Sequence, residues 1–116
     1  MTEEECKLVH DTNDEGLRRF THEHPKVFAK FTAADCAICQ ALAPPFEKFA
    51  DDAPYRGILF VRLDSGENPV ARQLMNERAA PFFVSYLQGR MLECDTRTTE
   101  AEVQAQLDRL LALMPS

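Results

Sequence analysis

The chain has 116 residues, the size of one ordinary domain, and its 45% hydrophobic and 28% charged residues describe a folded globular protein rather than a disordered one. A formal charge of -6 argues against nucleic acid and against an anionic membrane surface as partners, and no apolar run is long enough to span a bilayer. The N-terminus, Met1-Thr2-Glu3-Glu4-Glu5, is acidic and lacks an apolar core, so no signal peptide is visible and a reducing cytoplasm is expected.

A single domain over residues 1–116 is expected, and a chain of this length buries roughly two-thirds of its unfolded surface without needing staples. Cys6 to His10 reads as a short first strand. Thr12 and Glu15 fit a capping box, with Thr12 as N-cap, ahead of a short helix whose apolar side carries Leu17 and Phe20. His24-Pro25 ends that helix, because the residue before proline avoids helical geometry. Val27 to Phe31 then reads as a buried strand with one charge, Lys30, inside it.

From Cys36 the pattern turns helical, with Ile38, Leu42, Phe46, Phe49 and Ala50 recurring at three- and four-residue spacing. Pro44 and Pro45 fall inside this run and should kink the helix rather than end it, since the periodicity resumes at once. Asp51 to Pro54 closes it, and Ile58 to Leu63 is a second near-continuous apolar strand of the kind covered on both faces. Asn68-Pro69 reads as a helix start, with Val70 and Leu74 inward. Phe82 to Leu87 is a strand, Gln88-Gly89 a tight turn, and Arg90 to Cys94 the return strand. Thr99 and Glu102 form another capping box, and Val103, Leu107, Leu110, Leu111 and Met114 share one face of the last helix. The element order is β-α-β-α-β-α-β-β-α.

The chemistry concentrates at Cys36-Ala37-Ile38-Cys39, where a strand runs into a helix N-terminus. Two cysteines at this spacing can close a small disulfide or share a metal. Helix-terminal N–H groups and the helix dipole favour a thiolate there. The three histidines do not fall at zinc-ligand spacing with the cysteines, and a second C-x-x-C is missing, so no metal is assigned. Cys94 is expected on the same strand face as Leu92, as a small buried hydrophobe; Cys6, near the tail, is expected to be open to exposure and oxidation, and neither is assigned a function.

This order, with C-x-x-C after the second strand, resembles the thioredoxin family from Leu8 to Leu111. Phe31 and Ala33 match the strand end before the motif, and Pro44 sits five residues after Cys39, where the family kinks its active-site helix. Leu63-Asp64 and Asn68-Pro69 match the following strand end and helix start, and Ala80-Pro81 takes the place of the family's cis-proline. The resemblance implies a thioredoxin fold of class α/β, a central mixed five-stranded sheet flanked by four helices. The strands from Lys7, Val27 and Ile58 run parallel in it, and the hairpin around Gly89 is antiparallel.

The resemblance also implies a thiol–disulfide oxidoreductase in which Cys36 attacks a substrate disulfide and Cys39 resolves the mixed disulfide. Asp35, Ala80 and Pro81 would border the substrate groove. No bound cofactor is needed. The implied partners are a disulfide-containing protein substrate and a thioredoxin reductase or small thiol as electron donor, with the chain itself a monomer.

Several positions depart from the family pattern. Asp35 replaces the tryptophan before the first cysteine, and Ala37-Ile38 replaces Gly-Pro between the two. Lys30 stands where the family buries an aspartate and Arg62 where it has lysine, so both positions are basic. Phe82 follows the cis-proline in place of threonine, and Arg97 replaces a groove glycine. The altered groove residues Asp35, Phe82 and Arg97 support a rival reading, an adaptor or assembly module with a vestigial or regulatory cysteine pair. Asp35 is expected to N-cap the helix and so to compete with a Cys36 thiolate for the same N–H groups. Lys30 would act oppositely if it lay beneath the pair. The preferred reading is that its ammonium snorkels to the surface, because Arg62 nearby makes a deep like charge costly.

Overall fold

The computed structural model describes residues 9–33, 36–64 and 81–113. Its centre is a five-stranded sheet in the order β1-β3-β2-β4-β5. The strands are β1 (Val9–Asp11), β2 (Lys26–Thr32), β3 (Leu59–Asp64), β4 (Phe82–Leu87) and β5 (Arg90–Thr96). β1 and β2 both pair with β3 in parallel, whereas β4 runs antiparallel to β2 and to β5. The sheet is therefore mixed, with its antiparallel edge in the hairpin, as the sequence implies. That hairpin turns at Gln88 and Gly89, both at positive φ (51° and 84°), a geometry that glycine adopts without strain and that matches strand twist.

The helices are α1 (Asp14–Glu23), α2 (Ala37–Asp51) and α3 (Glu100–Ala112), and a short 3-10 turn at Ala53–Tyr55 follows α2. The helix expected from Asn68-Pro69, the expected strand start at Cys6 and the Ala80 side of the Ala80–Pro81 bond lie outside the described residues.

Alternation along the strands explains how one sheet carries two cores. One face of β2, β3 and β4 presents Phe28, Phe60 and Phe83, which pack with Phe46 of α2 and Leu107 of α3. Phe28 stacks on Phe83 at 5.7 Å between ring centroids, and Phe46 meets Phe60 edge-on at 5.3 Å. The other face presents Val27, Phe31, Val61 and Phe82, packed with Leu17 of α1. Helices thus cover both faces. Each fully buried phenylalanine contributes roughly 1.5–3 kcal/mol by transfer, and each good aromatic pair about 1 kcal/mol more.

Local capping explains most helix boundaries, with one correction. The N-cap of α1 is Asn13, not Thr12: the Asn13 side chain accepts a hydrogen bond from the Gly16 N–H at 2.8 Å. Two adjacent capping residues compete here, and the shorter reach to Gly16 falls to Asn13. α3 begins with the expected box, Thr99 accepting from the Glu102 N–H while the Glu102 carboxylate accepts from the Thr99 N–H. α2 continues through Pro44 and Pro45 to Asp51. The two rings forfeit hydrogen bonds to the carbonyls of Gln40 and Ala41, both exposed residues.

Two other expectations need correction. Leu92 is exposed while Cys94 is half-buried against the second core. A register shift between Ser85 and Tyr86 pairs Ser85 with Glu93 and Tyr86 with Met91, leaving Leu92 as the extra residue of a bulge. The simple alternation that put the two side chains on one face is broken there. Ile38, expected on the inner side of α2, is 42% exposed, and neither it nor Cys39 joins the core that receives Leu42 and Phe46.

Candidate active site

The C-terminal ends of β2 and β3 and the first turn of α2 converge on the cysteine pair. Cys36 occupies the N-cap of α2 with extended backbone (φ -107°, ψ 99°), and its Sγ accepts from the Cys39 N–H at 3.0 Å. The cap position expected for Asp35 is therefore taken by Cys36; Asp35 itself lies outside the described residues. The physical reason is the disulfide that joins Cys36 to Cys39, Cα–Cα 5.2 Å, which draws the Cys36 sulfur over the first helical turn. Cys36 is half-buried, whereas Cys39 is only 5% exposed. A sulfur aimed at free helix N–H groups gains stabilisation as a thiolate.

Lys30 does not snorkel. It is 1% exposed in the middle of the sheet, and its Nζ donates to the carbonyl of Cys39 at 2.8 Å. Its ammonium also lies 5.7 Å from the centroid of the Phe46 ring, within range of a cation–π attraction. Arg62, the like charge that makes a deep ammonium costly, pairs with Lys30 across β2 and β3. Arg62 turns its guanidinium to Asp11 instead, Nε donating to Oδ1 at 2.7 Å and Nη2 to Oδ2 at 3.1 Å. With that charge engaged, the deep ammonium is tolerable, though not free of cost. Burial first, and then Arg62, bring its pKa down from 10.5 to about 8, while Glu47 on the outer side of α2 pulls the other way.

Of the residues that depart from the family pattern, Phe82 is committed to the interior and Arg97 is half-buried. Phe82 is fully buried and stacks on Phe31 at 4.6 Å between centroids. Arg97 donates through Nε to the Gln106 Oε1 at 2.9 Å and pairs with Glu93 at 3.4 Å, while its backbone N–H donates to the Pro81 carbonyl at 3.3 Å. Gln106, itself fully buried, donates onward to the Phe83 carbonyl at 3.1 Å and to the Ser85 Oγ at 3.2 Å. Arg97, half-buried, thus caps a polar chain that runs through buried Gln106. Pro81 is buried at the head of β4, and Ala80 lies outside the described residues.

Sequence reasoning missed Ile38 as a surface residue beside the cysteines. Its signal was the arc set by Cys39, Leu42, Phe46 and Phe49, on which Ile38 sits at the margin. It also missed Glu47, an exposed residue of α2 whose negative charge favours the protonated forms of both Lys30 and Arg62.

The thioredoxin family model matches residues 7–112. Among curated relatives, the chain is 27% identical over 105 residues to thioredoxin-3 of Dictyostelium discoideum, covering 88% of this chain and 95% of that one. It is also 27% identical over 107 residues to thioredoxin H1 of Arabidopsis thaliana, covering 92% and 91% of the two chains. Among solved structures, the thioredoxin of Malassezia sympodialis superposes with a TM-score of 0.79 at 23% identity, over 91% of this chain and 92% of that one. With this fold, a disulfide at the N-terminus of α2 and a family match over nearly the whole length, the chain belongs to the thioredoxin family and is a thiol–disulfide oxidoreductase of the thioredoxin type.

Proposed function

We propose that Cys36 is the attacking thiolate of this oxidoreductase and Cys39 its resolving thiol. The observation that carries the assignment is the unequal burial of one disulfide: the cap sulfur is half-exposed, while the sulfur one turn on is enclosed. In the reduced protein Cys36 attacks a substrate disulfide, forms a mixed disulfide and releases one substrate thiolate. Cys39 then attacks the Cys36 sulfur, closes the internal disulfide and releases the second. The helix N–H groups stabilise the Cys36 thiolate. Lys30, bonded to the Cys39 carbonyl, favours the ionised form of the inner thiol through its charge. Asp35, next in sequence to Cys36, opposes ionisation of the outer one.

On the family resemblance we assign Asp35, Ala80 and Pro81 to the substrate side of the site, and Ile38, exposed next to Cys39, is its apolar flank. Its partners are disulfide-containing proteins, with electrons from a thioredoxin reductase or small thiols, in a reducing compartment such as the cytoplasm. The chain acts as one domain and as a monomer, without a bound cofactor. Of the departures that favour an adaptor, Phe82 is spent on core packing and Arg97 on intramolecular bonds to Gln106 and Glu93. The assignment is tested by covalent trapping. Cys39→Ser should accumulate mixed disulfides with substrate and Cys36→Ser should not; equal trapping by both variants would reverse or void the roles.

A further inference from the structure

Beside the cysteine pair lies a recess of about 250 Å³. Lys30, Thr32 and Arg62 form its sheet side, and Cys36, Cys39 and Gln40 its helix side. Among the described residues, the two ionised side chains that line it are cationic and no carboxylate lines it. Among the described residues the Lys30 ammonium makes one hydrogen bond, to a neutral carbonyl, and no ion pair. An ammonium has three donors, so two remain. The Arg62 fork gives Nε and Nη2 to Asp11 and keeps further N–H groups. Among the described residues Asp11 and Glu47 are the acids that act on these two cations, and both stand outside the recess, on exposed positions; Asp35, next in sequence to Cys36, lies outside the described residues. Burial, and after it the Arg62 charge, lower the Lys30 pKa to about 8, while Glu47 partly offsets them.

We propose that this recess takes the carboxylate arm of a small acidic disulfide or thiol, so that the cysteine pair exchanges with anionic low-molecular-weight disulfides in preference to neutral ones. The proposal rests on the reading of Cys36 and Cys39 as the redox pair and names a substrate class for it. The size of the recess suits a small organic acid, not a peptide strand. The chain's net charge of -6 repels anions at long range, so any preference must arise at contact, from the two cations. In the exchange the Cys36 thiolate attacks one sulfur of RS–SR, forming Cys36–S–S–R and expelling RS⁻. Cys39, losing its proton, then attacks the Cys36 sulfur, re-forms the internal disulfide and expels the second RS⁻. The small disulfide gains two electrons and the protein dithiol loses two; the two dithiol protons end on the released thiols.

The test measures second-order rate constants for oxidation of the pre-reduced full chain by 3,3′-dithiodipropionate and by bis(2-hydroxyethyl) disulfide, by acid quench and mass. Each rate is divided by that of dithiothreitol with the same disulfide, which removes intrinsic reactivity. A charge-assisted contact predicts a normalised preference of about tenfold for the acid. Arg62→Gln should bring the ratio close to one. Lys30→Met should lower it in the same direction, and gives the reading by itself if Arg62→Gln does not fold. A wild-type ratio at or below one, or a ratio untouched by these substitutions, overturns the recess while leaving the redox pair intact. If the wild type reacts with neither disulfide, the redox reading fails and the recess proposal falls with it.

Discussion

Replacing Lys30 by methionine should stabilise the oxidised protein near neutral pH, and the gain should fade in alkali. Lys30 is 1% exposed, and its ammonium titrates at about 8 instead of 10.5 in the folded chain. The unfolded chain therefore binds this proton more tightly than the folded one. Below pH 8 both states carry it and the full penalty stands; between pH 8 and 10.5 only the unfolded state does, so stability rises with pH; above 10.5 the penalty is gone. The displacement corresponds to roughly 3 kcal/mol at pH 7, most of it recovered by pH 10. Methionine keeps the apolar stem and forfeits the hydrogen bond to Cys39, worth about 1 kcal/mol. The net expectation is a variant more stable by roughly 2 kcal/mol at pH 7 and about equal to wild type at pH 10. Urea unfolding of both oxidised proteins at pH 7, 8.5 and 10 measures this, the difference cancelling groups common to the two. A difference that does not change with pH, or a variant less stable at pH 7, would refute the burial of a charged Lys30.

The same ammonium should affect redox poise, because it favours the thiolate form. With Ile38 in place of a rigid proline and Lys30 in place of an acid, the couple is expected at about -200 to -250 mV, less reducing than thioredoxin at about -270 mV. In a glutathione titration Lys30→Met should shift it to more reducing values, by on the order of 30 mV, and Asp35→Ala to less reducing ones; a wild type at or below thioredoxin would contradict this. Arg97→Ala should lower stability by about 1–3 kcal/mol in urea unfolding, because it leaves the buried Gln106 Oε1 without its donor; a change under about 0.5 kcal/mol would show that the chain through Gln106 is dispensable. Phe46→Ala should cost about 3–5 kcal/mol by opening a cavity between Phe28, Phe60 and Phe83, read from the shift in urea midpoint.

What could be read from residues alone was local or periodic. The Thr99–Glu102 box, the turn at Gly89, the apolar strands and the cysteine pair at a helix start each depend on neighbours within a few positions, and each stands where expected. Lys30 was misread because its environment is set by pairs distant in sequence: Arg62 is held by Asp11 across 51 positions, and the Cys39 carbonyl arrives with α2. The partners of Phe82 and Arg97 were not legible, because position relative to a family pattern says where a backbone passes and not where a side chain points. Leu92 was misassigned because a bulge shifts the faces of a strand without leaving a glycine or proline to mark it.

The central claim, that this chain exchanges disulfides through Cys36 and Cys39, is tested most directly by turnover. The wild type and Cys36→Ser are compared in catalysing dithiothreitol-driven reduction of a disulfide-bonded reporter protein. The account predicts a rate above the uncatalysed background for the wild type that is abolished in Cys36→Ser. A wild type no faster than background, or a Cys36→Ser variant as fast as wild type, would contradict it.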